Sequence, residues 1–197
     1  MKIGVLALQG DVPEHLRAWG SLVRPSDLVV VRGSDDLARV SALSLPGGES
    51  TTIARLIEQS GLWAPLAARL RDGLPALATC AGLVLLARTL APSESGRDPP
   101  TFGVLDVVVH RNDYGTQRES FEAPLNVLGL APPPFLGVFI RSPRIVSVGP
   151  EVTPIAWRDG EVVGVRGGRI WGLAFHPELS GDLRVHRAFL SSLRVPR

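Results

Sequence analysis

The chain contains one cysteine, Cys80, and its surroundings could make it a nucleophile. Leu74 to Ala87 is an almost unbroken apolar run with the thiol at the point where a buried strand gives way to a helix, between the small residues Ala78, Ala81 and Gly82. Small neighbours let a backbone turn sharply and lift a side chain above a sheet, as in the Gly-x-Ser-x-Gly elbow of hydrolases. Helix N-termini favour thiolate over thiol, and the free N–H of Ala81 would face an oxyanion formed on attack. A buried structural cysteine is a common alternative for the same run.

A thiolate needs a base and an orienter, and Phe175-His176-Pro177-Glu178 offers both at the end of the apolar run Ile170 to Ala174. In an extended chain residues i and i+2 face one side, so His176 and Glu178 are expected to project together, with Pro177 stiffening the backbone between them. Glu178 can then hold the tautomer of His176, as the third member of a triad does. Alone, such a pair is more often structural. One cysteine elbow and one His-Glu pair, both after buried strands with parallel ends, together favour a Cys80–His176–Glu178 triad. A third segment, Leu45-Pro46-Gly47-Gly48-Glu49-Ser50-Thr51-Thr52, follows a strand and opens a helix, so the N–H groups of Gly47 and Gly48 can face a carbonyl or oxyanion. It lacks the Gly-Lys-Ser/Thr ending of a phosphate loop. A plain helix cap by Ser50 is the alternative reading of this segment, and it is compatible with that function.

These segments need a frame that brings strand ends together. Ile3 to Leu8, Leu28 to Val31, Ala42 to Leu45 and Leu74 to Thr79 read as strands. They alternate with helical stretches at Val12 to Val23, Thr51 to Gln59 and Leu62 to Leu70, the first presenting Leu16, Trp19, Leu22 and Val23 on one face. Such alternation predicts an α/β fold of three layers, a mostly parallel central sheet with helices on both faces. From about Phe102 the texture changes to short Val- and Ile-rich runs, which add antiparallel strands in the C-terminal half, with tight turns at Arg158-Asp159-Gly160-Glu161 and Arg166-Gly167-Gly168-Arg169. A final helix is expected at about Gly181 to Leu193. Ala91 to Pro100 and Asn112 to Ser120 read as surface loops.

At 197 residues the chain fits a single domain, 1–197. A formal net charge of +2, with the arginines dispersed, argues against a nucleic-acid or anionic-membrane partner. One cysteine excludes an internal disulfide framework and leaves the four histidines without a zinc-type cysteine cluster, so no metal is expected. No stretch nears the roughly 20 apolar residues of a membrane span, and the opening apolar run is too short for a secretory core. The expected setting is the cytoplasm.

Pro46 to Thr52, Thr79 to Leu83 and Phe175 to Glu178 together resemble the class I, triad-type glutamine amidotransferases. Further segments narrow the resemblance to the glutaminase subunits of pyridoxal 5′-phosphate synthase: Gly4 to Asp11, Glu14-His15, Val107 to Val109 with Arg111-Asn112, Ser120 to Ala123, and Phe139 to Pro143. The likeness runs in order along nearly the whole chain. Ala78 departs from it, standing where the elbow usually carries Gly.

The resemblance implies a flavodoxin-like core and a glutaminase. In that chemistry Cys80 attacks the side-chain amide of L-glutamine, His176 protonates the departing ammonia, and water hydrolyses the glutamyl thioester. Glu178 would orient His176. The oxyanion hole would comprise Gly47, Gly48 and Ala81, and glutamine would be bound by Gly48, Glu49, Ser50, Arg111, Ile140 and Arg141. Gln9 would touch a synthase subunit, within a multi-subunit complex that takes up the ammonia. Pyridoxal phosphate would be the product of that complex, and this chain would need no cofactor. A stand-alone thiol hydrolase, an amidotransferase serving another synthase, and a non-catalytic redox sensor using Cys80 are the competing readings.

Overall fold

In the computed structural model, which describes residues 1–92, 98–111 and 120–193, five short strands form a parallel block. They are β1 (Ile3–Leu6), β2 (Leu28–Val31), β3 (Ala42–Leu45), β4 (Ala76–Thr79) and β12 (Ile170–Leu173), in the order β2-β1-β3-β4-β12. β1, β3, β4 and β12 are buried along their whole length, as parallel strands covered by helices must be. The flanking helices are α1 (Val12–Gly20), α2 (Ser34–Ala38), α3 (Ser50–Gln59), α4 (Trp63–Arg71), α5 (Ala81–Leu86) and α6 (Arg184–Ser192). Four antiparallel strands widen the sheet beyond β12: β11 (Glu161–Gly167), β10 (Val152–Arg158), β7 (Phe121–Val127) and β8 (Phe135–Phe139). This is the α/β class expected from the sequence, with its antiparallel additions in the C-terminal half.

Both expected turns are present. Asp159 and Gly160 have φ of 48° and 84° between β10 and β11, the backbone that two-residue hairpins require. Gly168, at φ 56°, turns β11 into β12. β7 carries Pro124 opposite Leu136 of β8 and outside its pairing with β10, which is confined to Asn126 and Val127.

Several elements differ from expectation. α1 stops at Gly20, before Leu22 and Val23; of the expected face Trp19 is fully buried and Leu16, Leu22 and Val23 pack half-buried against the core, while His15 and Ala18 join the buried side. α6 starts at Arg184, after the Asp182 carboxylate accepts the Arg184 N–H at 2.9 Å, so residues 181–183 form a turn. A separate three-stranded sheet joins β5 (Ala87–Leu90), β6 (Leu105–His110) and β9 (Arg144–Val148). Its β5–β6 pair is parallel, so it is not a hairpin array. Parts of the two expected loops, residues 93–97 and 112–119, lie outside the described residues. Among the described residues, no helix is long and apolar enough to cross a membrane.

The register between β4 and β12 matters most for chemistry. Leu173 lies opposite Thr79 in a parallel pair, so the chain leaves both strands at the same end. Cys80 and Phe175-His176 therefore emerge side by side, next to the end of β3 and its glycine pair.

Candidate active site

Cys80 occupies a strained elbow between β4 and α5, with φ 47° and ψ −106°, a conformation that residues with a Cβ rarely adopt. Main-chain bonds hold it there: its N–H donates to the Leu173 carbonyl at 2.8 Å, and its carbonyl accepts from Val84 at 3.2 Å. Gly82 is required on packing grounds, because a Cβ at this position would run into the Leu45 carbonyl of β3. Ala78 is fully buried, and the elbow forms with its methyl group in place. Cys80 itself is buried, its Sγ 3.9 Å from the Ile140 carbonyl.

His176 and Glu178 come together differently from the extended arrangement expected. Leu179 N–H donates to the His176 carbonyl at 3.3 Å, and the Ser180 hydroxyl to that of Pro177 at 2.9 Å. The segment is a turn that curls Glu178 back beneath the imidazole, and its Oε1 reaches Nδ1 at 2.7 Å. The His176 N–H donates to the Val138 carbonyl of the neighbouring strand β8, fixing where the ring starts. Its Nε2 makes no hydrogen bond among the described residues, and Cys80 emerges beside it from the adjacent parallel strand. Burial alone would lower the His176 pKa; Asp11, Cys80 and Glu178 hold it well above the ordinary histidine value.

Two residues absent from the sequence-derived site join this group. Asp11, from the loop after β1, places Oδ2 3.0 Å from His176 Nδ1. His15, fully buried on α1, has Nδ1 3.0 Å from the Ser44 hydroxyl, and Nε2 3.1 Å from the Thr79 hydroxyl and 3.4 Å from Glu178 Oε1. It thus joins β3, the residue before Cys80 and the orienting carboxylate. Glu178 is completely buried, which would raise its pKa, but His15 and His176 hold the carboxyl far below the ordinary range. Asp11, His176 and Glu178 bring one ligand-type atom each within 4.8 Å of one another. Glu178 is hydrogen-bonded to Nδ1, and Asp11 adds a second negative charge beside the same ring nitrogen. The one available signal was the pair Asp11 and His15 at the start of a helix, which without tertiary partners reads as a cap and a face residue.

The glycine pair sits against both the imidazole and the first loop. A Cβ on Gly47 would run into His176 Cε1. Gly48 has φ +148°, and a Cβ there would lie 2.6 Å from Gln9 Oε1 and 2.9 Å from Gly10 Cα. The Gly47 carbonyl accepts the Asp11 N–H at 3.1 Å, and Gln9 Oε1 accepts the Glu49 N–H at 3.0 Å. Gln9 therefore grips the glycine turn directly. Ser50 is not the helix cap. Glu49 takes that position and accepts the Thr52 N–H at 2.6 Å, and this bond keeps its carboxyl below the ordinary value despite partial burial. Ser50 is instead the first residue of α3, buried beside the thiol cleft.

Gly48, Glu49, Ser50, Arg111, Ile140 and Arg141 line one cleft with Cys80 and Ala81, joined by Val84 and Pro143, which sequence reasoning had not selected. The Arg111 guanidinium is largely buried, 3.2 Å from the Thr51 hydroxyl, 3.3 Å from Asp98 and 3.5 Å from Glu49. Arg141 adopts φ 44° in a sharp turn that the buried Ser142 hydroxyl pins by accepting the Ile140 N–H at 3.2 Å. The turn directs the Ile140 carbonyl at the thiol.

A parallel sheet with a cysteine elbow at one strand end and a histidine at its neighbour's end is the architecture of the class I glutamine amidotransferases. A crystal structure titled as a glutamine amidotransferase superposes with a TM-score of 0.88 at 40% identity, covering 99% of this chain and all of the other. Residues 5–194 match the SNO glutamine amidotransferase family, and the chain belongs to it. It is 48% identical to the pyridoxal 5′-phosphate synthase subunit PdxT of Streptomyces coelicolor, over 99% of this chain and 95% of that protein. It is 46% identical to the subunit of the same name from Pyrococcus furiosus, over 98% and 99% of the two chains.

Proposed function

We propose that this chain is the glutaminase subunit of a pyridoxal 5′-phosphate synthase, releasing ammonia from L-glutamine for a synthase partner. The observation that carries the chemistry is the buried His176–Glu178 pair at 2.7 Å, set beside the thiol at the end of the adjacent strand. With His176 protonated, the Cys80 thiolate attacks the amide carbon and the carbonyl oxygen becomes an oxyanion. Ala81 N–H opens α5, where main-chain donors have no intrahelical acceptor, and it stabilises that charge together with the Gly47–Gly48 turn. His176 gives its proton to the leaving ammonia, then draws one from the water that cleaves the thioester. Glu178 and, behind it, His15 keep the ring oriented.

The cleft suits an amino acid. Arg111 and Arg141 supply cationic forks for an α-carboxylate, and Glu49 supplies the opposite charge for an α-ammonium group. Gln9 ties the partner-facing loop to the glycine turn, so a synthase that moves residues 9–11 resets the oxyanion site. We place this activity in the cytoplasm, where a lone reactive thiol stays reduced, and in one domain spanning 1–197.

The test is steady-state glutamate release by the chain alone, by the chain with a synthase subunit, and by a Gln9→Ala chain with that synthase. The synthase is expected to raise the rate, and Gln9→Ala to weaken that rise more than it weakens the basal rate. Equal rates in all three mixtures would favour an independent thiol hydrolase.

A further inference from the structure

We propose that Asp11 is a second orienting carboxylate for His176, acting beside Glu178 to hold the imidazolium form of the ring. This rests on the triad reading above and extends it to a residue outside the triad.

Asp11 stands at the N-cap of α1, a position where aspartate ordinarily accepts a main-chain N–H of the first helical turn. Its carboxylate makes no such bond. It turns instead to the imidazole, with Oδ2 3.0 Å from Nδ1. That oxygen is shielded from water and accepts no hydrogen bond among the described residues, since Nδ1 is paired with Glu178 Oε1. A buried carboxylate oxygen that forgoes both solvent and capping is costly, and a neutral ring, whose Nδ1 is already paired with Glu178, would repay little of it. An imidazolium repays it, because its positive charge attracts both carboxylates, the Asp11 oxygen 3.0 Å from Nδ1 as well as the hydrogen-bonded Glu178.

The backbone leaves Asp11 little freedom to look elsewhere. Its N–H is bonded to the Gly47 carbonyl, and a Cβ on Gly47 would press on the same carboxylate oxygen at 2.7 Å. The charged and titratable groups facing the ring are therefore Asp11 from the loop after β1, Glu178 from the turn after β12, and Cys80 from the elbow. His15 on α1 stands behind Glu178. The direction of the His176 pKa, upward against its burial, agrees with this arrangement.

The consequence is a specific pH signature. Asp11 stabilises every state in which the ring is protonated, whether Cys80 is thiol or thiolate. Loss of its charge leaves thiol ionisation beside an imidazolium unchanged and makes the imidazolium easier to deprotonate. The alkaline limb of activity moves to lower pH, and the acid limb stays.

The experiment is a titration of the full chain, following the four histidine side chains by NMR, with His176→Asn identifying the His176 signal. Asp11→Asn keeps the shape and removes the charge. It is expected to lower the His176 midpoint by about one pH unit or more. In the complex with synthase, the alkaline limb of kcat/KM for glutamine should fall by a similar amount. Asp11→Ser restores an ordinary helix cap, so it should melt no lower than wild type while showing the same histidine shift, which separates positioning from folding. An unmoved His176 midpoint in either folded variant would overturn the proposal. Full glutaminase activity in His176→Asn would instead overturn the triad reading, whatever the titration showed.

Discussion

Replacing Gly47 with alanine adds one methyl group at the place where the glycine turn meets the imidazole. Gly47 is absent from the left-handed glycines, so alanine meets no backbone penalty and the effect is steric. The added Cβ would lie 3.0 Å from His176 Nδ1 and 2.7 Å from Asp11 Oδ2, and would overlap Cε1 outright. The ring is held from below by Glu178 at 2.7 Å and from its own backbone by Val138 at 2.8 Å, so it has one way to yield, by retreating about 1 Å from the turn. A displacement of that size costs roughly 100-fold in rate, near 2.7 kcal/mol of transition-state stabilisation. The assay is glutamate release at saturating glutamine by the variant in complex with synthase, with thermal melting as the control for folding. We expect kcat to fall about 100-fold while the variant remains folded. A variant within threefold of wild type would show that His176 does not work from the position described here.

His176→Asn should reduce glutaminase kcat by at least about 100-fold, the usual scale for loss of a positioned acid–base group. Glu178→Gln should cost less in the same assay, because the Asp11 carboxylate still lies 3.0 Å from Nδ1; a loss equal to that of His176→Asn would show that Asp11 does not hold the ring. His186 gives a stability prediction. It is fully buried edge-on to Trp19, neither ring nitrogen has a hydrogen bond among the described residues, and burial first, then His15, pushes its pKa down to about 4, with Glu178 opposing. The unfolded chain takes up a proton near pH 6.5 and the folded chain resists until about 4, so folding stability falls as pH drops through that window, by roughly 3 kcal/mol in all. Glu178, depressed, loses its contribution only at still lower pH, and His176, raised, loses its own as pH rises. Urea midpoints at pH 7 and pH 4.5 should therefore differ less in His186→Phe than in wild type, and an unchanged difference would refute the assignment.

What could be read from the sequence was what local pattern encodes. The elbow around Cys80 is a strand, a small-residue turn and a helix in succession, and both the buried β4 and α5 follow from that run. The two tight turns of the C-terminal hairpins carry their glycines in plain view. What escaped depends on partners distant in sequence. Asp11 looks like a cap and His15 like a member of a helix face until β3, β4 and the His176 turn are folded around them. The buried face of α1 follows His15 because Ser44 and Thr79 offer its ring both partners, a gain no hydropathy pattern registers. Likewise, nothing local assigns the cap of α3 to Glu49 over Ser50; Gln9, from another loop, fixes the Glu49 main chain and sets where the helix begins. α2 spans five residues, too short for helical periodicity to stand out, and β5 follows α5 directly with Arg88 and Thr89 exposed, so no apolar run marks it.

The central claim, that Cys80 carries the glutamyl group in turnover, is tested most directly by trapping that group. The chain, in complex with synthase and turning over glutamine labelled in its carbon skeleton, is quenched in acid, digested and its peptides analysed by mass. Label is expected on the peptide containing Cys80, discharged by hydroxylamine as a thioester must be, and absent from Cys80→Ala, which should also release no glutamate above background. Label on another residue, or glutamate release persisting in Cys80→Ala, would contradict the account.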